Sequence, residues 1–143
     1  MFYERILVAF DGSELSEKAL GKAVQMAESN KSIALDVVMV LNNNPAIPGV
    51  YPMTTPNFYD SDLQYGEETI KRLKKELSGL ENPHTVSLLE GKPESKILEF
   101  AKGRGTDLII MGSRGLNGLK ELFLGSVSHY VVQHSKVPVL IVK

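Results

Sequence analysis

Residues Thr106 to Val127 read TDLIIMGSRGLNGLKELFLGSV, and the reading of this stretch decides the fold. It opens on Leu108-Ile109-Ile110-Met111, a short continuous apolar run of the kind that makes a buried strand. Gly112 breaks the run, Gly115 and Gly118 follow, and the stretch closes on Gly125-Ser126, where a helical pattern starts. Glycine permits positive φ and close approach of backbone. The free N–H groups at a helix start attract anions. A strand, a glycine-punctuated loop and a helix start capped by the Ser126 hydroxyl therefore describe a phosphate cradle. The expectation is that the remaining chain positions a nucleotide over this loop.

Working outward, the N-terminal run Arg5-Ile6-Leu7-Val8-Ala9-Phe10 is almost wholly apolar, which suits a central parallel strand covered on both faces. It stops at Asp11-Gly12-Ser13. Ser13 is placed to cap a helix with Glu14 and Glu17 in its first turn, where the macrodipole favours anions. Ala19, Leu20, Ala23, Val24 and Ala27 then recur at helical spacing. Ser32 to Leu41 reads as a second strand. From Asn42 to Tyr59 there is no period, and Pro45, Pro48, Pro52 and Pro56 argue against regular structure. Asp60 and Ser61 offer caps for a helix carrying Leu63, Ile70, Leu73, Leu77 and Leu80, whose KRLKKE run reads as a solvated face with local ion pairs.

Thr85 to Leu89 reads as a shorter third strand with the polar content of a sheet edge. Pro93 suits the first position of a helix that carries Ile97, Leu98, Phe100 and Ala101 and ends at Gly103 and Gly105. The helix after Ser126 is expected to bury Val127, Tyr130 and Val131. Val137 to Val142 supplies a fifth strand. Strict alternation of strand and helix predicts an α/β fold, a parallel sheet with helices on both faces and right-handed crossovers. Ligands in such sheets bind beyond the carboxyl ends of the strands, where strand order reverses. If the first and fourth strands flank that point, Asp11 and Gly112 face one crevice.

The totals narrow the function. A chain of 143 residues is most simply one domain, residues 1–143, with room for a substantial core. A net charge of -1 gives no basic field for nucleic acid or an anionic membrane. The absence of cysteine removes disulfides, thiolate metal sites and a cysteine nucleophile. His84, His129 and His134 lack the spacing of a helical metal motif, so no metal site is expected. MFYERILVAF has no signal-peptide pattern, and no run approaches the ~20 apolar residues of a membrane span. These features lead to the expectation of a soluble cytoplasmic protein.

The motif classes separate in the same way. No lysine completes a GxxxxGK[ST] loop, GxGxxG is absent, and no GxSxG elbow supports a Ser-His-Asp triad. Asp11 reads in three ways: a helix-start turn shared with Ser13, a phosphate acceptor of receiver type, or a ribose contact. The receiver reading needs an acidic cluster, and one acidic residue stands at that turn. The ribose reading is preferred, because a carboxylate can accept from both ribose hydroxyls. No catalytic residue is assigned.

At this point a resemblance becomes specific. Gly112, two residues, Gly115, nine residues, then Gly125-Ser126 matches the signature GxxGx9G[ST] of the universal stress protein family. The runs Ile6 to Ser13, Gly91 to Ala101, Asp107 to Gly115 and Val137 to Val142 also resemble that family, so the likeness spans the chain. The resemblance implies a three-layer α/β/α open sandwich of adenine nucleotide alpha-hydrolase-like, Rossmann-like type, with a five-stranded parallel sheet of order 3-2-1-4-5. It implies membership of the ATP-binding branch and homodimerisation through Val137 to Val142. By position it implies ATP contacts from Ala9, Phe10, Asp11, Val40, Met111, Gly112, Arg114, Gly115, Gly125, Ser126 and Val127. Asp11 would meet ribose, Val40 adenine, and the glycine loop the phosphates, with Mg2+ able to bridge them. A neutral backbone cradle without a base or lysine clamp has little to stabilise a transition state. A nucleotide-dependent regulator or sensor is therefore expected. A slow ATPase or phosphotransferase, or a module for another adenine nucleotide such as cyclic AMP, is the alternative.

Overall fold

In a computed structural model of the chain, residues 2–42, 56–115 and 124–143 are described, and for residues 56–61 the backbone alone. Strand β1 (Arg5–Ala9) lies in the middle of a five-stranded sheet. The other strands are β2 (Ala34–Leu41), β3 (His84–Glu90), β4 (Leu108–Gly112) and β5 (Val139–Val142). All pairings are parallel and the order is β3-β2-β1-β4-β5. Ile6 is flanked by Leu35 on one side and Leu108 on the other. The helices are α1 (Glu14–Glu28), α2 (Pro56–Glu76), α3 (Pro93–Arg104) and α4 (Ser126–His134). The fold expected from strand alternation and from the family resemblance is the fold observed.

The continuous apolar runs have a physical cause, since both faces of the sheet are covered. Ile6, Val8 and Phe10 point to one side with Leu35, Val37 and Ile110, and pack against Ala19, Ala23 and Ala27 of α1 and Leu73 of α2. Leu7, Val38, Ile109 and Met111 point to the other, against Ile97 and Ala101 of α3 and Val131 of α4. The small alanine face lets α1 lie close to the sheet. Ser13 is its N-cap, its hydroxyl accepting from Ser16 N at 3.2 Å.

Several boundaries differ from expectation, each for a local reason. Helix α2 starts at Pro56, ahead of the Asp60 and Ser61 caps. Proline needs no N–H partner in a first turn and its fixed φ suits a helix start, so the last of the four prolines begins the element. The earlier three, with the rest of residues 43–55, lie outside the described residues. Strand β3 has seven residues and exceeds β1 in length, and it is a sheet edge as expected. Helix α3 runs through Gly103 and ends at Gly105 alone, whose φ of 69° is the left-handed cap conformation. Tyr130 is exposed rather than buried. Its ring stacks on His134 one turn later, with centroids 4.0 Å apart.

Two buried polar residues tie the elements together. Asn82, in the lead-in to β3, directs its side-chain amide at the carbonyls of Ala27, Asn30 and Ile33, at 2.9, 3.0 and 2.9 Å. Ala27 O and Asn30 O also accept from the Asn30 and Ile33 N–H groups, at 3.0 Å each, so the amide adds a second donor to the turn that ends α1. Asn82→Ala removes this shared donor from three carbonyls at a buried position. The expected loss is about 2 kcal/mol, read as a lower midpoint in urea with an unchanged slope; a change within about 0.5 kcal/mol would show that water takes over the role.

Asp36 is the second, 1% exposed in the middle of β2. Its carboxylate accepts from Arg5 Nη1 at 3.1 Å, Arg104 Nη2 at 3.0 Å and Thr85 Oγ1 at 2.6 Å. Burial pushes the Asp36 carboxyl up. The hydrogen bonds from Arg104, Thr85 and Arg5, with the Arg104 charge, outweigh burial and hold it below the ordinary carboxylate value.

Candidate nucleotide site

Strand order reverses between β1 and β4, so the chain segments leaving these two strands enclose the crevice. After β1 comes the turn Asp11-Gly12-Ser13. Asp11 Oδ1 accepts from Ser13 N at 2.9 Å, which folds the turn on itself. Gly12 has a φ of 87°, which a residue with a side chain rarely adopts. The other Asp11 oxygen, Oδ2, stands against Gly115, so that a methyl group on Gly115 would run into it. Residues about a hundred positions apart in sequence are thus in contact, as expected if the first and fourth strands flank the crevice.

The loop after β4 is closed by one carbonyl. Ser113 O accepts from Gly125 N at 2.7 Å and from the Ser128 hydroxyl at 2.7 Å. Ser113 N in turn donates to Val142 O at 2.9 Å, fastening the loop to the end of β5. Gly125 lies so near Arg114 that an added Cβ would come within 3.1 Å of Arg114 Cα. Gly118 and its neighbours, residues 116–123, lie outside the described residues. Gly125, the last glycine of the signature, is therefore joined at the base of the loop to Ser113, the residue after the first.

One correction concerns the helix start. The N-cap of α4 is Gly125, and no side chain bonds to it; Ser126 is the first helical residue and is exposed. The hydroxyl that works here is that of Ser128, which also reaches Gly125 O at 3.1 Å. A serine three residues after a helix start, able to bond back to the i−3 carbonyl, was the available signal. The difference separates two helix starts at this edge of the sheet. Helix α1 is capped by Ser13 and carries Glu14 and Glu17 in its first turn, so its positive end is already answered. Helix α4 has neither a side-chain cap nor an acidic residue in its first turn. Among the described residues, its first N–H groups have no side-chain cap and so suit an anion.

The remaining candidate residues divide by strand alternation. Met111 is buried in the α3/α4-side core, and Ala9, Val40 and Val127 are half-buried against that same core. Phe10 points to the opposite core and is 2% exposed, so its contribution at the crevice is limited to backbone. Gly112 is buried, and a Cβ there would come within 2.8 Å of Leu15 Cβ and 3.1 Å of Leu15 backbone carbon. Its lack of a side chain is what lets α1 cross the end of β4. Arg114 is half-buried and Gly115 exposed. Among the described residues, no three His, Asp or Glu side chains stand close enough together to hold a metal ion. The set offers one carboxylate, one guanidinium, an uncapped helix start and an apolar wall, which suits an anionic ligand with a sugar and a flat base.

A doubly wound parallel sheet with this glycine loop at its switch point defines the class of protein. The universal stress protein family model matches residues 2–143, and the chain belongs to that family. Universal stress protein YxiE of Bacillus subtilis is 33% identical over 147 aligned positions, covering 99% of each chain. Among solved structures, universal stress protein UspA from Lactobacillus plantarum superposes with a TM-score of 0.85 at 23% identity, over 100% of this chain and 99% of that one. A universal stress protein in complex with cAMP gives 0.72 at 22% identity, over 99% and 97%. An Arabidopsis thaliana family protein with AMP bound gives 0.71 at 19% identity, over 97% and 90%. Among the described residues no helix is long and apolar enough to cross a membrane.

Proposed function

We propose that this chain is a single universal stress protein domain, residues 1–143, that binds ATP between β1 and β4 and acts in the cytoplasm as a nucleotide-dependent stress-response regulator or sensor. The observation that carries the reading is the contact of the Asp11 carboxylate with Gly115, beside the uncapped start of α4. It puts an acceptor for ribose hydroxyls next to a donor array for phosphate. Val40 meets adenine, with Ala9, Phe10 backbone and Met111 beside it, and Val127 lies on the ribose and phosphate side. Gly112, Arg114, Gly115, Gly125 and Ser126 serve the phosphates. Mg2+ would bridge the phosphates and take most of its ligands from them and from water. The complete GxxGx9G[ST] spacing supports a triphosphate.

The AMP-bound and cAMP-bound relatives support an adenine nucleotide and leave its phosphate count as the quantity to measure. Calorimetric titration with ATP, AMP and cyclic AMP decides it. ATP should bind with the highest affinity, and mass spectrometry of the purified protein should find ATP carried through. Tighter binding of cyclic AMP would move the assignment to the cyclic nucleotide.

A homodimer through Val137 to Val142 belongs to the same proposal. Strand β5 is a sheet edge and Leu140 on it is 37% exposed, an apolar edge that a second copy would cover. Sedimentation at micromolar concentration should give a dimer; monomer alone contradicts it.

A further inference from the structure

Tyr65 of helix α2 reaches the β1–α1 turn. A methyl group at Gly12 would run into the Tyr65 hydroxyl and lie 3.4 Å from Tyr65 Cζ, so the phenol rests directly on the residue after Asp11. Its placement is fixed from both sides. Gly66 seats α2 against the ends of β2 and β3, where a Cβ would come within 3.1 Å of Leu88 and 3.2 Å of Leu41. Seven residues beyond Tyr65, on the same helix face, Arg72 bonds Glu17 of α1 at 2.8 Å and sets its guanidinium 5.8 Å from the Phe10 ring. The two anchors span the β1–α1 junction. Yet Tyr65 is 47% exposed, and among the described residues its hydroxyl has no hydrogen-bond partner. A phenol held against a glycine turn with its polar tip open is placed to receive a ligand.

We propose that Tyr65 is a further ligand-contacting residue, its hydroxyl bonding a ribose hydroxyl of the nucleotide beside the Asp11-Gly12 turn. The assignment rests on the nucleotide reading above. Tyr65 and Asp11 together would then make the site selective for the intact ribose.

The test titrates ATP and 2′,3′-dideoxy-ATP into the wild-type chain and into Tyr65→Phe. The phenylalanine keeps the ring on the turn and removes an oxygen that bonds nothing among the described residues, so an unchanged Tm is expected. ATP should bind the variant about 3- to 10-fold more weakly, the size of one neutral hydrogen bond. The affinity for the dideoxy nucleotide should not change. Equal losses for both nucleotides, or no loss for either, would overturn the ribose contact. Wild-type binding of neither nucleotide would bring down the nucleotide reading itself, and this contact with it.

Discussion

Gly115→Ala should lose about 10- to 100-fold in ATP affinity, roughly 1.4–2.8 kcal/mol, with almost no loss of stability. Gly115 is exposed and its φ lies outside the positive region, so alanine suits its backbone and disturbs no core. Among the described residues the added methyl meets one thing, the Asp11 carboxylate. Either that carboxylate leaves its position or the loop moves off it, and in both cases the acceptor and the phosphate donors lose their relative placement. Stability should change by less than about 0.5 kcal/mol, a Tm shift of about 2 °C or less for a domain of this size. Asp11→Ala should weaken binding to a similar degree, and combining the two changes should add little, because both act through one contact. Full additivity would show that Gly115 and Asp11 serve the ligand independently. Gly112→Ala is the contrasting variant. There the methyl meets Leu15 backbone, so the expected result is a stability loss of about 1–3 kcal/mol from overpacking. The three signature glycines at the base of the loop thus have separate physical reasons: Gly112 for helix packing, Gly115 for Asp11, Gly125 for the approach to Arg114.

Asp36→Ala is expected to cost about 2–4 kcal/mol of stability at neutral pH. Removing one member of a buried ion pair costs about 3–5 kcal/mol when the partner is left dry. Here Arg5 and Arg104 are about a third and two-fifths exposed and can rehydrate, which places the loss toward the lower end. The pH dependence follows from the direction of the shift. The folded carboxyl titrates below its unfolded value of about 3.9, because Arg104, Thr85 and Arg5 overcome the opposing effect of burial. The charged form is therefore favoured in the folded state. Its contribution is complete above the unfolded value and disappears as pH falls through the folded one. Urea denaturation of wild type and Asp36→Ala at pH 7 and at several values below pH 4 measures this. The gap between the two proteins should narrow as the solution becomes more acid. A gap that stays constant would show that the loss comes from packing at Asp36 rather than from its charge.

The parallel sheet was legible in the sequence because the signal was local, while its order came from the family resemblance. Ile6 to Phe10 and Leu108 to Met111 are continuous apolar runs bounded by glycine turns, and such runs need cover on both faces. Asp11 and the signature glycines were legible through their spacing. What escaped has long-range partners. Asp36 finds Arg104 68 residues away, and Asn82 finds Ala27 55 residues away. Ser128 bonds the Ser113 carbonyl across the loop, and Tyr65 touches Gly12 from another helix. None of these pairs leaves a period in the chain. Tyr130 was misread because its helical spacing matched the apolar face, while its ring finds cover on His134 at the surface. Pro56 was misread because proline interrupts helices inside them and starts them at their first turn.

The central claim is that the crevice between Asp11 and the glycine loop holds ATP, and calorimetric titration of the nucleotide-stripped chain with ATP and Mg2+ tests it most directly. The account predicts saturable binding of one ATP per chain, lost to the stated extent in Gly115→Ala. Absence of binding in a folded wild-type chain, or unchanged affinity in Gly115→Ala, contradicts it.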